Sequence, residues 1–234
     1  MAVRKPFWAY NLNATAGRTL GKGTPVTLAG FGPFNDTANG KYNGGIIKAS
    51  NSASGATLDA LAAFIAGDCS VACWAYTTTI NNDCVLSFRH STLGLLEFRL
   101  SYTGGTNRQF SATGATNSSN ITFAADQWHH IVFVREGGAV KCYKNGGLSA
   151  TLAGTRSNGA ANGNSSYEIG QDDYYIDEPQ AWDHALTAGE VAEIYADEIA
   201  NVAYLPEATT LALTAGDEEI EATVTPASNS LPYY

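Results

Sequence analysis

The sequence predicts an all-β fold, a sandwich or jelly roll of two antiparallel sheets, and three observations support this prediction. Charged residues make up only 15% of the 234 residues and Gly occurs 24 times, so the predicted surface consists mostly of Ser, Thr, Asn and Gly. Segments rich in β-branched and aromatic residues recur along the chain. Among them are distributed Asn-Gly dipeptides, which favour tight hairpin turns, at Asn39, Asn43, Asn145, Asn158 and Asn162.

Seven segments carry the strand pattern most clearly. In chain order they are residues 69–78, 84–90, 95–102, 120–125, 129–136, 139–146 and 167–171. Together with shorter segments between the other turns, they predict about a dozen strands in the whole chain.

Residues 129–136 begin with two adjacent histidines, which raises the question of a metal or catalytic site. Neighbouring side chains of an extended strand point to opposite faces, so we do not expect His129 and His130 to bind one ion together. Both faces are largely apolar, as in a central strand. One face consists of Trp128, His130, Val132 and Val134, and the other of His129, Ile131, Phe133 and Arg135.

Residues 186–202 predict one clear helix. Thr187 stands three residues before Glu190, the spacing of a capping box at a helix N-terminus. Apolar residues then recur at helical spacing, and we expect this stripe to pack against the edge of the sandwich. The stripe consists of Val191, Ile194, Tyr195, Ile199 and Val202. A weaker pattern at Leu58, Leu61 and Ile65 indicates one or two helical turns in a connection.

The predicted sandwich occupies residues 1–204, and residues 205–234 form a C-terminal arm of different composition. Thirty residues cannot form an independent core. The alternation of Leu211, Leu213, Ile220 and Val224 favours an extended segment or β-hairpin that joins its own sheet or a neighbour's. A disordered tail is the alternative.

Charge and hydropathy exclude two classes of partner. The net charge is −9 and no cluster of Lys or Arg forms the basic surface that nucleic acid requires. No apolar stretch is long enough to span a bilayer, so we expect no membrane insertion. The N-terminus lacks the continuous apolar region of a secretory signal, which predicts a protein that is not exported by that route.

The four cysteines are few for a chain of this length, so half-buried thiols are the favoured interpretation. Pairing of Cys69 or Cys73 with Cys84 or Cys142 across strands is the alternative. No C-x-x-C motif points to zinc or to redox chemistry.

The sequence predicts no catalytic residues. A glycosidase needs two carboxyl groups that converge on one bond, whereas Asp177 and Glu178 are adjacent and predicted to diverge. Glu219 and Glu221 alternate, but they lie in the arm. The motifs of serine hydrolases, zinc proteases and P-loop enzymes are absent as well.

A calcium site is the one cofactor that the residues suggest. Gln171, Asp172 and Asp173 follow a glycine at a strand end and offer the hard oxygen ligands that Ca²⁺ takes, although an acidic, solvated turn is the alternative. Next to them, Tyr174 and Tyr175 are candidates to stack on sugar rings or to anchor a protein interface, if they are not core residues.

Four segments, in this order, resemble the laminin-G-like, concanavalin A-like jelly-roll domains. They are NGKYNGGIIKAS at 39–50, CSVACWAYTT at 69–78, WHHIVFVREGGAVKCYKNG at 128–146 and IDEPQAWDHALTAGEVAEIY at 176–195. The resemblance covers about residues 8 to 200. It implies that a set of residues in these segments serves the fold rather than chemistry, namely Trp74, Trp128, His130, Tyr143, Asp177, Trp182 and Leu186.

The resemblance also implies a function at the rim of the sandwich. Such domains mostly bind glycans or proteins through rim loops and are mostly non-catalytic. In the pentraxin-like subgroup a G-Q-E-x-D loop supplies calcium ligands, and the GQDD stretch is similar to a shortened form, with five residues between Gly170 and Ile176.

These expectations, with the absent export signal and the thiols, predict a non-enzymatic structural or adhesive component of a phage virion. It is a capsid decoration protein or a tail- or fibre-associated protein, made in the host cytoplasm. Its expected partners are other virion proteins, further copies of itself in a homo-oligomer, and cell-surface glycan. A carbohydrate-binding lectin module, extracellular and with or without calcium, is the alternative, and a glycan-cleaving enzyme is the second alternative.

Overall fold

The computed structural model describes residues 8–9, 41, 47–48, 51–54, 62–77, 84–90, 92–104, 107–155, 157–159, 166–169 and 174–199. The predicted calcium ligands Gln171, Asp172 and Asp173 and the arm at 205–234 lie outside the described residues, as do Leu58, Leu61 and Val202. Neither helix in the described ranges is long and apolar enough to cross a membrane.

The described residues form thirteen strands and two helices. The helices are α1 (Ala62–Ala66) and α2 (Ala188–Ile199). The strands are β1 (Trp8–Ala9), β2 (Ile47–Lys48), β3 (Asn51–Ser54), β4 (Cys69–Thr77), β5 (Cys84–His90), β6 (Gly94–Gly104), β7 (Asn107–Ala112), β8 (Ser119–Thr122), β9 (His129–Glu136), β10 (Ala139–Lys144), β11 (Gly147–Leu152), β12 (Ser166–Ile169) and β13 (Tyr174–Trp182).

The strands build two antiparallel sheets, which confirms the predicted sandwich. Sheet A has the order β1-β13-β4-β9-β10-β11, and β2 also pairs with β13. Sheet B has the order β3-β12-β5-β6-β7-β8. Neighbours in the sheets are mostly distant in sequence, as in a jelly roll, and every ladder in the described residues runs antiparallel.

The main core lies between the two sheets. Phe133 of β9 projects from sheet A, and its ring stacks on Phe98 of β6 and on Phe110 of β7, with centroids 5.2 Å and 5.4 Å away. All three rings are fully buried. Offset aromatic stacking across the sheets thus joins the central strands of the two layers.

Helix α2 forms a third layer on the outer face of sheet A. The same strand β9 presents Val132 and Val134 outward, where they form a second buried core with Val191 and Ile194 of α2. The helix was predicted at the sandwich edge, and that prediction was wrong. Because both faces of β9 are apolar, the outer face has to be covered, and the amphipathic helix covers it.

The helix begins as predicted, but its buried stripe differs. The Thr187 backbone N–H donates to Glu190 Oε2 at 2.8 Å, and the Glu190 N–H donates to Thr187 Oγ1 at 3.2 Å, which confirms the capping box. Ile199 is 53% exposed, whereas Glu198 is only 1% exposed. At 3.6 residues per turn, position 198 lies almost directly in line with Val191, and position 199 lies well to the side.

Three of the four cysteines are described with their side chains. Cys69, Cys73 and Cys142 are buried thiols, as the favoured interpretation predicted, although they are fully buried rather than half-buried. They lie in the core between the sheets, where a thiol behaves as a small apolar side chain.

Candidate functional site

The two adjacent histidines point to opposite faces of sheet A, as predicted. His129 faces the inter-sheet core, where its ring lies 4.2 Å from that of Phe123 and its Nε2 lies 3.1 Å from the Ala124 carbonyl oxygen. His130 faces α2, between the rings of Trp74 at 5.2 Å and Tyr195 at 5.7 Å. Across the described ranges, no three His, Cys, Asp or Glu side chains are grouped to hold a metal ion.

The residues expected to serve the fold are buried, with one exception. At most 3% of the surface of each is exposed for Trp74, His130, Tyr143, Asp177, Trp182 and Leu186. Trp128 is partly exposed and belongs to neither buried core. The structure places it at the rim of sheet A instead.

Three carboxyl groups are buried beneath the end of α2. These are Asp177 and Glu178 of β13 and Glu198 of α2, here called the carboxyl cluster, with exposures of 1%, 6% and 1%. The indole Nε1 of Trp74 donates a short hydrogen bond to Glu198 Oε2. Gln180 Nε2 donates to Glu198 Oε1 at 2.8 Å, so both carboxyl oxygens of Glu198 are engaged.

A β-bulge brings Glu178 into this cluster. The register of β13 against β4 shifts between Asp177 and Gln180, and Glu178 adopts a positive φ of 44°. Its backbone N–H donates to Asp177 Oδ1 at 2.9 Å. The divergence of Asp177 and Glu178 was predicted from regular strand alternation, and the bulge interrupts that alternation.

Burial shifts the pKa values of two groups of this region towards their neutral forms. It raises the pKa of Glu198 to about 8, an effect opposed by the hydrogen bonds from Trp74 and Gln180. Burial lowers the pKa of His130 to about 3. His130 Nε2 lies 3.4 Å from Glu198 Oε2. Because both groups are neutral at pH 7, this contact is not an ion pair.

Burial also raises the pKa of Glu178 well above its usual range, and the nearby charges of Asp177 and Glu198 add to this shift. The three acids of the carboxyl cluster are therefore buried away from solvent. Glycoside hydrolysis needs carboxyl groups that face a cleft with room for sugar and water, and α2 closes this space. The sequence does not reveal Glu198 as part of the cluster, although its position seven residues after Val191 is a usable signal.

A second group of residues is accessible from solvent, at the rim of sheet A. Tyr76 near the end of β4 and Trp128 just before β9 pack ring against ring, with centroids 5.4 Å apart, and both are partly exposed. Asp126 is exposed beside them, and its Oδ1 lies 3.5 Å from the Tyr76 hydroxyl. Tyr76, Asp126 and Trp128 are here called the rim site.

The backbone fixes the rim site to the start of β13. The Asp126 N–H donates to the Thr77 carbonyl oxygen at 2.8 Å. Thr77 and Tyr76 are the register partners of Tyr174 and Tyr175. Residues directly opposite in antiparallel strands share a face, so position 175 lies on the same face as Tyr76. The predicted ligands at 171–173 immediately precede this strand end.

The outer face of sheet B offers a different surface, with polar side chains among its described residues. Arg99 Nε and Glu97 Oε1 of β6 lie 3.5 Å apart, and both side chains are partly exposed. Gln109 of β7 and Asn120 of β8 are exposed on the neighbouring strands. The described side chains of this face include no aromatic pair like that of the rim site.

Comparison with known proteins identifies the family to which the fold is similar. A model of the concanavalin A-like lectin/glucanases superfamily matches residues 50–192. No curated protein matches the chain.

Two solved binding domains share the fold at low identity. The receptor binding domain of botulinum neurotoxin C/D mosaic serotype has a TM-score of 0.57 and 11% identity, over 86% of this chain and 53% of that one. The botulinum neurotoxin serotype D binding domain has a TM-score of 0.55 and 11% identity, over 84% and 52%. The chain thus spans about half the length of these two domains. A heptameric SAP-like pentraxin from Limulus polyphemus has a TM-score of 0.42 and 16% identity, over 55% of this chain and 69% of that one.

Proposed function

The chain belongs to the concanavalin A-like lectin/glucanase superfamily, and from this premise we propose that it is a non-enzymatic module that binds carbohydrate at the rim site. The observation that carries the proposal is the partly exposed pair of Tyr76 and Trp128 beside an exposed carboxylate, Asp126.

The chemistry of the rim site suits a sugar. Aromatic rings offer large, rigid apolar surfaces that fit the apolar face of a pyranose, and their polar tips tolerate contact with water. A carboxylate accepts hydrogen bonds from hydroxyl groups through two oxygens. The rim site combines both features at one end of sheet A, whereas the described side chains on the outer face of sheet B supply the polar part.

The arrangement of acids supports the non-enzymatic part of the proposal. The carboxyl cluster lies beneath α2, and its members Glu178 and Glu198 have pKa values raised by burial. Asp126 at the rim site is exposed, and its described side-chain neighbour is the hydroxyl group of Tyr76. Neither group of residues resembles a pair of acids on either side of a scissile bond.

A glycan array of bacterial and animal cell-surface glycans tests the proposal. We expect binding that falls about fivefold for Tyr76→Ala and for Trp128→Ala, since each ring contributes about 1 kcal/mol. Gln109→Ala on sheet B is the matched control and leaves the affinity unchanged. Thermal unfolding of each variant separates a lost contact from a lost fold. A blank array, or full binding by the Tyr76 and Trp128 double variant, contradicts the proposal.

We include in the proposal the calcium site predicted from the sequence. The described residues supply one exposed carboxylate near the start of β13, Asp126, which is a candidate to add to the predicted ligands Gln171, Asp172 and Asp173. Calorimetric titration with CaCl₂ tests this. Calcium binding that is lost in the Asp172→Ala, Asp173→Ala double variant supports the site. If titration of the wild-type protein releases no heat of binding, the proposed calcium site is contradicted.

Placement in a phage virion is a separate prediction that rests on the sequence, and the three buried thiols suit the reducing compartment in which a virion protein is made. Electron microscopy of the native source, with antibody labelling, tests whether this chain lies on a particle. Analytical ultracentrifugation of the full chain and of a variant without residues 206–234 tests the predicted oligomer and the arm's part in it.

A further inference from the structure

The last turn of α2, residues 196–199, has an unusual combination of burial and charge. It contains Asp197 and the fully buried Glu198, and no basic residue. The carbonyl groups at the end of a helix carry partial negative charge, which disfavours an anion there. An ionised Glu198 is therefore disfavoured twice, by desolvation and by its position on the helix.

The groups around Glu198 are mostly acidic or neutral. Lys41 lies on the same side of the sheet, with its Nζ 4.6 Å from the centroid of the Trp74 ring. Within the part of the chain that the structure describes, the titratable or charged groups facing this region include His130 from β9, Asp177 and Glu178 from β13, Tyr195 and Asp197 from α2 itself, and Lys41.

We propose that the last turn of α2 is a pH-dependent latch, which protonated Glu198 holds on sheet A and ionised Glu198 releases. In the closed state the neutral carboxyl group accepts hydrogen bonds from Trp74 and Gln180. In the ionised state the carboxylate faces Asp177, and by reaching water it escapes both desolvation and the repulsion of Asp177. Fraying of a single turn is enough for this.

Release of this turn loses little other burial. Its terminal apolar residue, Ile199, is already 53% exposed, and the buried apolar residues Val191 and Ile194 lie earlier in the helix. The N-terminal end is held independently by the capping box of Thr187 and Glu190. Opening is therefore confined to the end of the helix and does not depend on carbohydrate binding.

The pH window follows from proton linkage. The pKa of Glu198 is about 8 in the closed state and returns to its ordinary value of 4.5 on release, so opening frees a proton between these values. Glu178, with a raised pKa, acts in the same direction. His130 acts in the opposite direction below its ordinary value of 6.5, because it takes up a proton once exposed. Opening thus rises with pH mainly between 6.5 and 8.

Hydrogen exchange followed by mass spectrometry from pH 5.5 to 8.5, corrected for intrinsic rates, measures the latch in the full chain. We expect protection of the last turn to fall by about tenfold per pH unit between 6.5 and 8 for one released proton, and then to level off. The first turn of α2 keeps its protection throughout.

Two variants isolate Glu198. Glu198→Gln keeps the volume and the hydrogen-bonding capacity but cannot ionise, so the protection of its last turn falls less steeply with pH above 6.5 than in the wild-type protein. Asp197→Asn removes a charge from the same turn and retains the wild-type slope. Constant protection in the wild-type protein, or an unchanged slope in Glu198→Gln, overturns the latch. If Glu198→Gln fails to fold, carboxyl ¹³C titration of the wild-type protein decides, since an ordinary pKa for Glu198 also overturns it.

Discussion

Arg135 is a fully buried cation on the inner face of β9, and its partners are backbone and amide oxygens. Its Nε donates to the Gly67 carbonyl oxygen at 3.1 Å, and its NH1 donates to Asn158 Oδ1 at 2.9 Å. Its NH2 donates to the carbonyls of Phe64 and Ile65 in α1. Because α1 has no basic residue of its own in its last turn, Arg135 caps the helix from across the sandwich.

Replacement of this guanidinium predicts a large loss of stability. Arg135→Met leaves several buried carbonyl groups without a donor, so we expect the free energy of unfolding to fall by about 3 kcal/mol. Lys141→Met is the matched control, because Lys141 lies on the next strand in an exposed pair with Glu136 at 2.7 Å. It should change stability by less than about 1 kcal/mol. Urea unfolding measures both, and equal losses contradict the capping role.

Individual residues show what a sequence can and cannot reveal. The capping box of Thr187 and Glu190 was predictable because it depends only on local spacing. The opposite faces of His129 and His130 were predictable from strand geometry. The burial of Glu198 was not, because a search for an apolar stripe passes over a carboxylate in its centre. Its burial depends on Trp74 and Gln180, which are distant in sequence and supply the hydrogen bonds.

At the level of elements, the β10–β11 hairpin likewise combines a turn that the local sequence predicts with contacts that depend on distant residues. Its turn was predicted from the Asn-Gly dipeptide, and Asn145 and Gly146 adopt the positive φ values of 50° and 78° that such a turn requires. The Asn145 N–H donates to the His130 carbonyl oxygen at 2.8 Å, and the His130 N–H donates to Asn145 Oδ1 at 2.9 Å. These two bonds fix the turn to β9, next to the last part of α2.

A comparison of two glycines separates backbone conformation from packing. Gly137 has a φ of 62° and open space where a Cβ would lie, whereas a Cβ on Gly146 would lie 2.9 Å from Tyr195 Cδ1. We expect Gly137→Ala to cost about 1 kcal/mol of stability, the conformational penalty alone. Gly146→Ala should cost about 1 kcal/mol more, since Tyr195 has to move. Thermal unfolding measures the difference in stability between the two variants. Equal losses of stability would show that Tyr195 of α2 moves aside at no energetic cost.

Two of the strands that lie outside the seven predicted segments, β7 and β11, share a physical cause. Strands β7 and β11 contain few β-branched residues, and they are held mainly by their partners β6 and β10 in the sheets. The bulge in β13 was missed because alternation assumes a regular strand. Strands β4, β9 and β10 were predicted well, since their own residues form the core.

At the scale of the whole molecule, the two sheets differ in what lies outside them. Helix α2 packs on the outer face of sheet A, which also carries the rim site, while sheet B presents polar side chains such as Gln109 and Asn120. The sequence predicted the sandwich because turns and β-rich segments are local features. It did not predict that α2 covers the outer face of sheet A. An amphipathic helix can pack on the edge of a sandwich or on an outer face, and the choice depends on how the strands are arranged.

The buried ionisable groups predict that the protein is most stable at mildly acidic pH. Burial raises the pKa values of Glu198 and Glu178, so the folded state binds these protons more tightly, and stability falls as pH rises from 4.5 towards 8. Burial lowers the pKa values of His130 and His129, so the unfolded state binds those protons more tightly, and stability falls as pH decreases from 6.5 towards 3. The two effects oppose each other between 4.5 and 6.5, which leaves a broad maximum there.

Urea unfolding from pH 3 to 9 measures the profile. Glu198→Gln should flatten the decline above pH 6.5 and leave the acid side unchanged, whereas a wild-type maximum at pH 8 or above contradicts the burial of these acids.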